Sequence, residues 1–291
     1  MTTEISNLMK EADIIGFCYA AGEPMIDKLL LSYKGGTLFL KICKYPNPKF
    51  EKTLKHELRI INYLHNLGIK GIPNIVSSGY YQKKFFILEE FIEGDRYNSL
   101  KHSNLLVNWL RYVYRKTICG YIEFSKLLKK IEDKTRKVAP NEANLLHKIF
   151  HDKLKQNFRI PLVFVHGDLY HDNIIVKERI KSIYITDYTL SEIKAPPGDP
   201  FIYYFIESNG SIKPNTYLSN CKYLINEVWP NGAPDTVTFK ASALYTLISR
   251  IEKERKIRKL LTEEMLFNEF KLEIDDMFLS LFLELLHELA V

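Results

Sequence analysis

No stretch of this sequence is long and uncharged enough to cross a lipid bilayer. The two most apolar segments, 105–122 and 277–291, are interrupted by Arg and Lys in the first and by Glu and His in the second. A spanning helix needs about 20 mostly uncharged residues. The first 11 residues also lack the basic and apolar regions of a secretory signal. We therefore expect a cytoplasmic protein without a membrane span.

Cysteine is scarce, and its spacing excludes the usual zinc-binding patterns. The four cysteines are Cys18, Cys43, Cys119 and Cys221, and none belongs to a CxxC pair. This spacing also argues against a disulfide framework. Cys43 lies in an apolar strand pattern and Cys119 in an apolar helical pattern, so we expect buried free thiols in a reducing compartment.

A clustered basic stripe is missing too, although the formal net charge is +6. The most basic segment, 253–259 (KERKIRK), contains an acid and has a helical pattern. Nucleic-acid-binding domains usually concentrate Lys and Arg on one face. We interpret the segment as a solvated helix face and expect no nucleic-acid partner.

The first part of the chain has the pattern of a small β-rich domain. Strands are predicted at 13–18, 26–33, 37–43, 75–81 and 84–91, with a hairpin turn at 34–36 and a helix from about 48 or 51 to 67. Gly68 follows where a C-terminal cap belongs. The pattern breaks at Glu93-Gly94-Asp95, so we place the end of a first domain at residue 94.

The rest of the chain, 95–291, is predicted to be mostly helical. A strand–loop–strand segment at 161–187 interrupts the helices. One face of the last helix is apolar, which we interpret as core packing; its residues are Phe278, Leu281, Phe282, Leu285 and Leu286. These patterns predict an α+β fold with a β-rich domain at 1–94 and a helical domain at 95–291 that carries the hairpin at 161–187.

The most informative segment reads VFVHGDLYHDN at 163–173 and is followed by ITD at 185–187. It places Asp168 in a loop after an apolar strand, Asn173 near the start of the next strand, and Asp187 at that hairpin's end. Magnesium-dependent phosphoryl transfer needs a carboxylate to orient the attacking hydroxyl, and an amide oxygen and second carboxylate to hold the metal. Each residue alone is explained by a turn or a cap, but together they favour this chemistry.

Lys41 lies between Leu40 and Ile42 of a predicted strand. A lysine there must reach solvent or find an anion. Glu57, on the following helix, is suitably placed to hold its amine for nucleotide phosphates, although such a pair is weak support by itself. We expect His166 to be architectural, joining two loops through hydrogen bonds.

Together these residues resemble the protein-kinase-like fold and, within it, the aminoglycoside phosphotransferase and choline kinase branch. That branch has a catalytic loop of His-Gly-Asp followed by Asn at the same offset as in HGDLYHDN at 166–173. The resemblance implies a bilobal fold with a small antiparallel β-sheet lobe and a mostly helical lobe. It also implies that Asp168 is the catalytic base, that Asn173 and Asp187 bind Mg²⁺, and that Lys41 pairs with Glu57.

Two further segments carry the resemblance. FILEEFIEG at 86–94 resembles the family's hinge, where the main chain of Glu89 and Phe91 would bond the adenine of ATP. Gly198-Asp199-Pro200 is similar to a Gly-Asp-Pro element that follows the metal-binding Asp in many members. The glycine-rich phosphate loop departs from the family, because 19–24 (YAAGEP) has one glycine and an acid.

The resemblance therefore implies an ATP- and Mg²⁺-dependent kinase that phosphorylates a hydroxyl of a small molecule, such as an aminoglycoside or other antibiotic, an amino alcohol or a sugar. A protein kinase is the nearest alternative; Gly167, in place of an Arg, and the short segment 187–200 count against it. A catalytically weak nucleotide-binding or structural protein of the same fold is a second alternative. The acidic residues of the C-terminal part would suit a polycationic acceptor, but we favour helix-surface charges; they are Glu263, Glu264, Glu269, Glu273, Asp275 and Asp276.

Overall fold

The computed structural model describes residues 11–17, 25–150, 159–207, 214–263 and 273–290. The chain divides into two units: unit 1 contains residues 1–97 and 174–189, and unit 2 contains residues 98–173 and 190–291. The phosphate loop at 19–24, Cys18, Glu264 and Glu269 lie outside the described residues, and so do the side chains of the other acidic residues noted in the C-terminal part.

In the ranges that the structure describes, unit 1 is built on a five-stranded antiparallel sheet and a long helix. Its elements are β1 (Asp13–Phe17), β2 (Ile26–Tyr33), β3 (Gly36–Cys43), α1 (Pro48–Asn66), β4 (Ile75–Tyr81) and β5 (Lys84–Glu90). The strand order is β1-β2-β3-β5-β4, so β3 and β5 lie inside the sheet. These bounds confirm the predicted strands and helix to within a few residues.

Local sequence explains why α1 begins and ends where it does. The side chain of Asn47 accepts a hydrogen bond from the N–H of Lys49, and Pro48 occupies the first turn, where its missing N–H costs nothing. Gly68 has a φ of +67°, the left-handed conformation that commonly ends a helix. The buried face of α1 consists of apolar residues and one acid, Glu57.

A second, three-stranded sheet explains why residues 174–189 belong to unit 1. It contains β6 (Asp95–Arg96), β9 (Ile174–Lys177) and β10 (Ser182–Ile185) in the order β10-β9-β6. Gly94 allows the chain to approach β9, since a Cβ there would lie 2.6 Å from a side-chain carbon of Ile175. The hairpin at 161–187, which the sequence assigned to the helical domain, is therefore divided between the units.

The described residues of unit 2 are mostly helical and include a small antiparallel sheet. Its helices are α2 (Ser99–Lys116), α3 (Phe124–Val138), α4 (Ala143–Phe150), α5 (Asp199–Glu207), α6 (Pro214–Val228), α7 (Thr236–Glu263) and α8 (Glu273–Ala290). The sheet has the order β11-β8-β7 and consists of β7 (Gly120–Glu123), β8 (Arg159–Val165) and β11 (Glu192–Ala195). The apolar face predicted for the last helix is buried, as Phe278, Phe282 and Leu285 show.

Two expectations about unit 2 are wrong. Cys119 lies between α2 and β7 rather than in a helix, and it is exposed, whereas Cys43 and Cys221 are buried free thiols. The segment 253–259 is not simply a solvated face, because Glu254 is 8% exposed and pairs with Arg250 at 2.5 Å. No helix in the described ranges is long and apolar enough to span a membrane.

Candidate active site

Unit 1 holds a buried cluster of charges around Lys41. The Lys41 side chain is 3% exposed, and its Nζ lies 2.6 Å from Oε1 of Glu57 on α1 and 3.1 Å from Oε1 of Glu89 on β5. The expected Lys41–Glu57 pair is therefore formed. Glu89 is an additional partner, which β5 brings to Lys41 because β5 pairs directly with β3.

Electrostatics keep Lys41 charged despite its burial. Burial alone would lower the pKa of Lys41, but Glu57, Glu89 and Asp187 outweigh it and raise that pKa above its ordinary value. Burial raises the pKa of Glu57, and Glu89 and Asp187 add to that rise while Lys41 opposes it. The cluster thus presents a fixed ammonium group, which is what an anion-binding lysine requires.

Asp187 follows β10 and belongs to the same unit. Its φ is +62°, a left-handed conformation that Asp tolerates better than most residues. Thr189 Oγ1 donates to its Oδ1 at 2.8 Å, and Lys28 Nζ, from β2, lies 3.1 Å from its Oδ2. Burial opposes the negative charge, but Lys28 and Lys41 lower the pKa of Asp187 below its usual range. The side chain is an ionised carboxylate, a hard oxygen ligand that suits Mg²⁺.

Glu89 and Phe91, whose main chain is predicted to bond the adenine of ATP, have other contacts within unit 1. Glu89 lies in β5 opposite Phe39 of β3 and Ile75 of β4, and its side chain is directed at Lys41. The N–H of Phe91 donates to the carbonyl oxygen of Thr37 at 3.3 Å. A main-chain contact between Phe91 and adenine through this N–H would require that bond to open, so the adenine contacts stay a prediction.

Unit 2 carries the loop at 166–173 that is predicted to be catalytic, and its Asn173 side chain contacts Asp168. The Asn173 side-chain NH₂ donates to the Asp168 carbonyl oxygen at 2.8 Å and to its Oδ2 at 3.2 Å. The amide is thereby oriented, and its carbonyl oxygen is the atom of Asn173 with the chemistry of a magnesium ligand. The Asp168 side chain is 17% exposed, so its carboxylate is partly accessible to solvent.

The carboxylate of Asp199 holds the backbone of this loop through hydrogen bonds. Its carboxylate, 0% exposed, accepts hydrogen bonds from the N–H groups of His166 at 3.1 Å and Gly167 at 2.9 Å, and from the Tyr114 hydroxyl at 3.1 Å. Burial raises the pKa of Asp199, and His166 and the two N–H groups oppose that rise. The Gly-Asp-Pro element noted in the sequence therefore supports the catalytic loop.

Gly167 and His166 are structural parts of the loop. Gly167 has a φ of +78°, and a Cβ at this position would clash with the carbonyl oxygen of Leu190. Glycine is needed here for both reasons. His166 is fully buried; its Nδ1 accepts from the N–H of Asp168 at 3.3 Å, and its carbonyl oxygen accepts from the Ser191 hydroxyl at 2.9 Å. The imidazole bond lies within the loop, whereas the bond to Ser191 is made by the main chain of His166, so the joining of two loops by the imidazole stays a prediction.

Arg250 of α7 is the main site residue that sequence reasoning missed. Its guanidinium lies 2.9 Å from Oδ1 of Asp168 and donates to the carbonyl oxygen of Gly167 at 3.0 Å. Glu254, one helical turn later, holds the other side of Arg250. The sequence did contain one indication, a charged residue inside the apolar run of α7. A charged residue in such a position is usually buried as part of an ion pair.

Asp187 of unit 1 and Asn173 of unit 2 each have the donor chemistry of a magnesium ligand. Within the described ranges, no group of three or more His, Cys, Asp or Glu side chains could hold a metal ion. Mg²⁺ in phosphoryl-transfer proteins is commonly held by one or two protein oxygens together with phosphates and water. Asp187 and Asn173 each offer such an oxygen.

Comparisons with known proteins identify solved structures with a similar fold. No protein-family model matches the sequence, and no curated protein matches it. An aminoglycoside 3'-phosphotransferase of type VIII is similar in structure over 84% of this chain and 98% of its own, with a TM-score of 0.52 and 14% identity. A spectinomycin phosphotransferase solved with ADP and spectinomycin is similar over 99% and 97%, with a TM-score of 0.54 and 16% identity.

A thermostable mutant of another aminoglycoside phosphotransferase is similar over 99% of both chains, with a TM-score of 0.58 and 8% identity. These neighbours phosphorylate small molecules, and their fold combines an antiparallel β-sheet lobe with a helical lobe, as the two units here do. The order of elements along this chain agrees with the predicted resemblance. The chain has the protein-kinase-like fold of the aminoglycoside phosphotransferases.

Proposed function

We propose that this chain is an ATP- and Mg²⁺-dependent phosphotransferase that transfers the γ-phosphate to a hydroxyl of a small molecule. The observation that carries the proposal is the geometry of the catalytic loop: Asp168 is partly exposed and held by both Asn173 and Arg250. Support comes from the fold, which is similar to that of a spectinomycin phosphotransferase solved with ADP and its antibiotic.

In unit 2, Asp168 orients the acceptor hydroxyl and accepts its proton as the oxygen attacks phosphorus. Asn173 and Arg250 hold the carboxylate still, and Asp199 holds the backbone on which it stands. This fixed geometry is how most of the barrier is lowered in phosphoryl transfer, since the transition state is loose and needs positioning more than covalent assistance.

In unit 1, Lys41 binds phosphate oxygens of the nucleotide, and Glu57 keeps its amine in place. Asp187 and Asn173 are the residues that would hold Mg²⁺, which supplies positive charge to the phosphates when it is bound. The N–H of Tyr188 donates to Glu57 at 3.2 Å. This bond connects the segment after Asp187 to the Lys41–Glu57 pair.

The acceptor is a small molecule in this proposal because Gly167 replaces the Arg of protein kinases and the segment 187–200 is short. The solved neighbours include enzymes named for aminoglycosides and for spectinomycin. Antibiotics of these classes, amino alcohols and sugars are therefore the acceptors to assay first.

The experiment compares Asp168→Asn with wild type in an ADP-release assay over a panel of antibiotics, amino alcohols and sugars. We expect wild type to release ADP with at least one acceptor, and Asp168→Asn to lose roughly a hundredfold or more in kcat while it still binds ATP. Asp133→Asn is the matched control, because Asp133 is an exposed carboxylate of α3 in the same unit. Undiminished turnover in Asp168→Asn would contradict the proposal.

A further inference from the structure

Glu89 gives Lys41 a second carboxylate partner that the phosphate-binding role of this lysine does not need. In phosphoryl-transfer sites of this kind, one glutamate positions the lysine and its amine faces the phosphates. Glu57 already fills that role at 2.6 Å. Glu89 is 2% exposed and lies 3.1 Å from the same Nζ. Its presence therefore calls for an explanation beyond positioning.

The contact between Glu89 and Lys41 is electrostatic rather than a directed hydrogen bond. Among the described residues, Oε1 of Glu89 has no hydrogen-bond partner, although it faces the ammonium group. A buried carboxylate oxygen without a hydrogen bond is costly to keep unless the charge of the group serves a purpose. The charge itself, not a hydrogen-bond network, is thus the property that Glu89 contributes.

Counting the charges of the cluster shows what that charge does. The cluster has two ammonium groups, Lys28 and Lys41, and three carboxylates, Glu57, Glu89 and Asp187. Glu57 and Glu89 contact Lys41, Asp187 contacts Lys28, and Asp187 also attracts Lys41 electrostatically. Among the described residues of this cluster, the carboxylates therefore outnumber the lysines before any nucleotide binds. The phosphates of a nucleotide at Lys41 are therefore repelled by an excess of negative charge. The repulsion is strong because the charges are close together and buried, where solvent and salt screen them weakly.

From this arrangement we propose that Glu89 makes nucleotide binding at Lys41 depend on a divalent cation. A divalent cation reverses the sign of the local excess, so the phosphates bind well only together with the metal. This inference rests on the proposed function, because it requires Lys41 to bind nucleotide phosphates. It adds a role for Glu89 as a residue that discriminates metal-bound from metal-free nucleotide.

The test measures ATP affinity by calorimetry, with magnesium and with EDTA, for wild type and Glu89→Gln. Glutamine keeps the size of the side chain and removes its charge. We expect Glu89→Gln to bind ATP in EDTA at least about tenfold more tightly than wild type, with a smaller change in magnesium. The ratio of the two dissociation constants should therefore fall in the variant.

Glu90→Gln is the matched control, since Glu90 is the next residue, is exposed and bonds Asn74 instead of Lys41. It should keep the wild-type ratio; a fall as large as that of Glu89→Gln would overturn the specific role of Glu89. If Glu89→Gln does not fold, Glu89→Met removes the same charge with an apolar chain of similar length, and the same fall is expected.

The two proposals fail in different ways. An unchanged ratio in a folded Glu89 variant contradicts only the inference about Glu89. Absence of ATP binding by wild type both in magnesium and in EDTA contradicts the proposed function, and the inference with it.

Discussion

Arg250 is a buried charge that contacts the catalytic loop at two points and its own helix at a third. Its guanidinium lies against Oδ1 of Asp168, the carbonyl oxygen of Gly167 and Oε1 of Glu254. The planar fork of arginine can make these contacts at once, which the single ammonium of lysine cannot. Arg250 therefore acts on the reaction through the position of Asp168.

We expect Arg250→Lys to lower kcat by roughly ten- to a hundredfold, because a small displacement of a positioned catalytic group is enough for such a loss. The KM for ATP should change little, since Lys41 and its partners belong to unit 1. Steady-state kinetics with the acceptor found in the panel would measure both constants.

Arg255→Lys is the control for that variant. Arg255 lies on the same helix and donates to the carbonyl oxygen of Val138 at 2.9 Å, so its replacement disturbs α7 without touching the loop. An equal loss of kcat in both variants would show that Arg250 acts through general stability and not through Asp168.

At the scale of elements, α3 and α7 are joined by a charged contact centred on Glu252. Its carboxylate lies 2.5 Å from Nζ of Lys134 and 3.2 Å from Nζ of Lys137, both on α3, and 3.2 Å from Nζ of Lys256 on its own helix. Burial opposes the charge, but the three lysines outweigh it and lower the pKa of Glu252 to about 2.

This lowered pKa predicts how stability depends on pH. A carboxylate whose pKa is lower in the folded than in the unfolded chain stabilises the fold above its unfolded pKa of about 4.3, and that contribution disappears as pH falls towards the folded pKa. We expect Glu252→Gln to be less stable than wild type by roughly 2 kcal/mol at pH 7. Urea unfolding should show that difference shrinking as the pH falls from about 4 to 2.

The exposed pair of Glu123, the residue before α3, and Lys126 on α3 provides the comparison. Their side chains are 53% and 68% exposed, and such pairs contribute little. Glu123→Gln should therefore remain close to wild type throughout the pH range. A constant difference between Glu252→Gln and wild type at all pH values would contradict the role given to the Glu252 charge.

The elements that sequence predicted are those whose own residues carry a clear period. β2, β3 and α1 were predicted because the alternation of 26–43 and the helical spacing of Leu54 and Leu64 need no partner to be recognised. β7 and β11 were not predicted, since each has four residues and is defined by pairing with β8. The wrong expectation that Cys119 is buried in a helix has the same cause, because Cys119 lies directly before β7.

For the whole molecule, the site residues are distributed over both units. Five site residues were predicted from the sequence, because a motif and its order along the chain identify them. Lys41, Glu57 and Asp187 belong to unit 1, and Asp168 and Asn173 belong to unit 2. Their binding and catalytic roles stay predictions. Three contacts could not be predicted from the sequence. The pairing of strands brings Glu89 to Lys41 and Lys28 to Asp187. The packing of α7 brings Arg250 to Gly167 and Asp168.

The most direct test of the central claim follows the γ-phosphate itself. Purified protein is incubated with γ-labelled ATP, magnesium and the acceptor panel, and the label is then separated into free phosphate, protein and small-molecule fractions. We expect the label to appear on a small molecule, to require magnesium, and to be lost in Asp168→Asn. Label found only on protein, or only as free phosphate with every acceptor, would contradict the assignment of a small-molecule phosphotransferase.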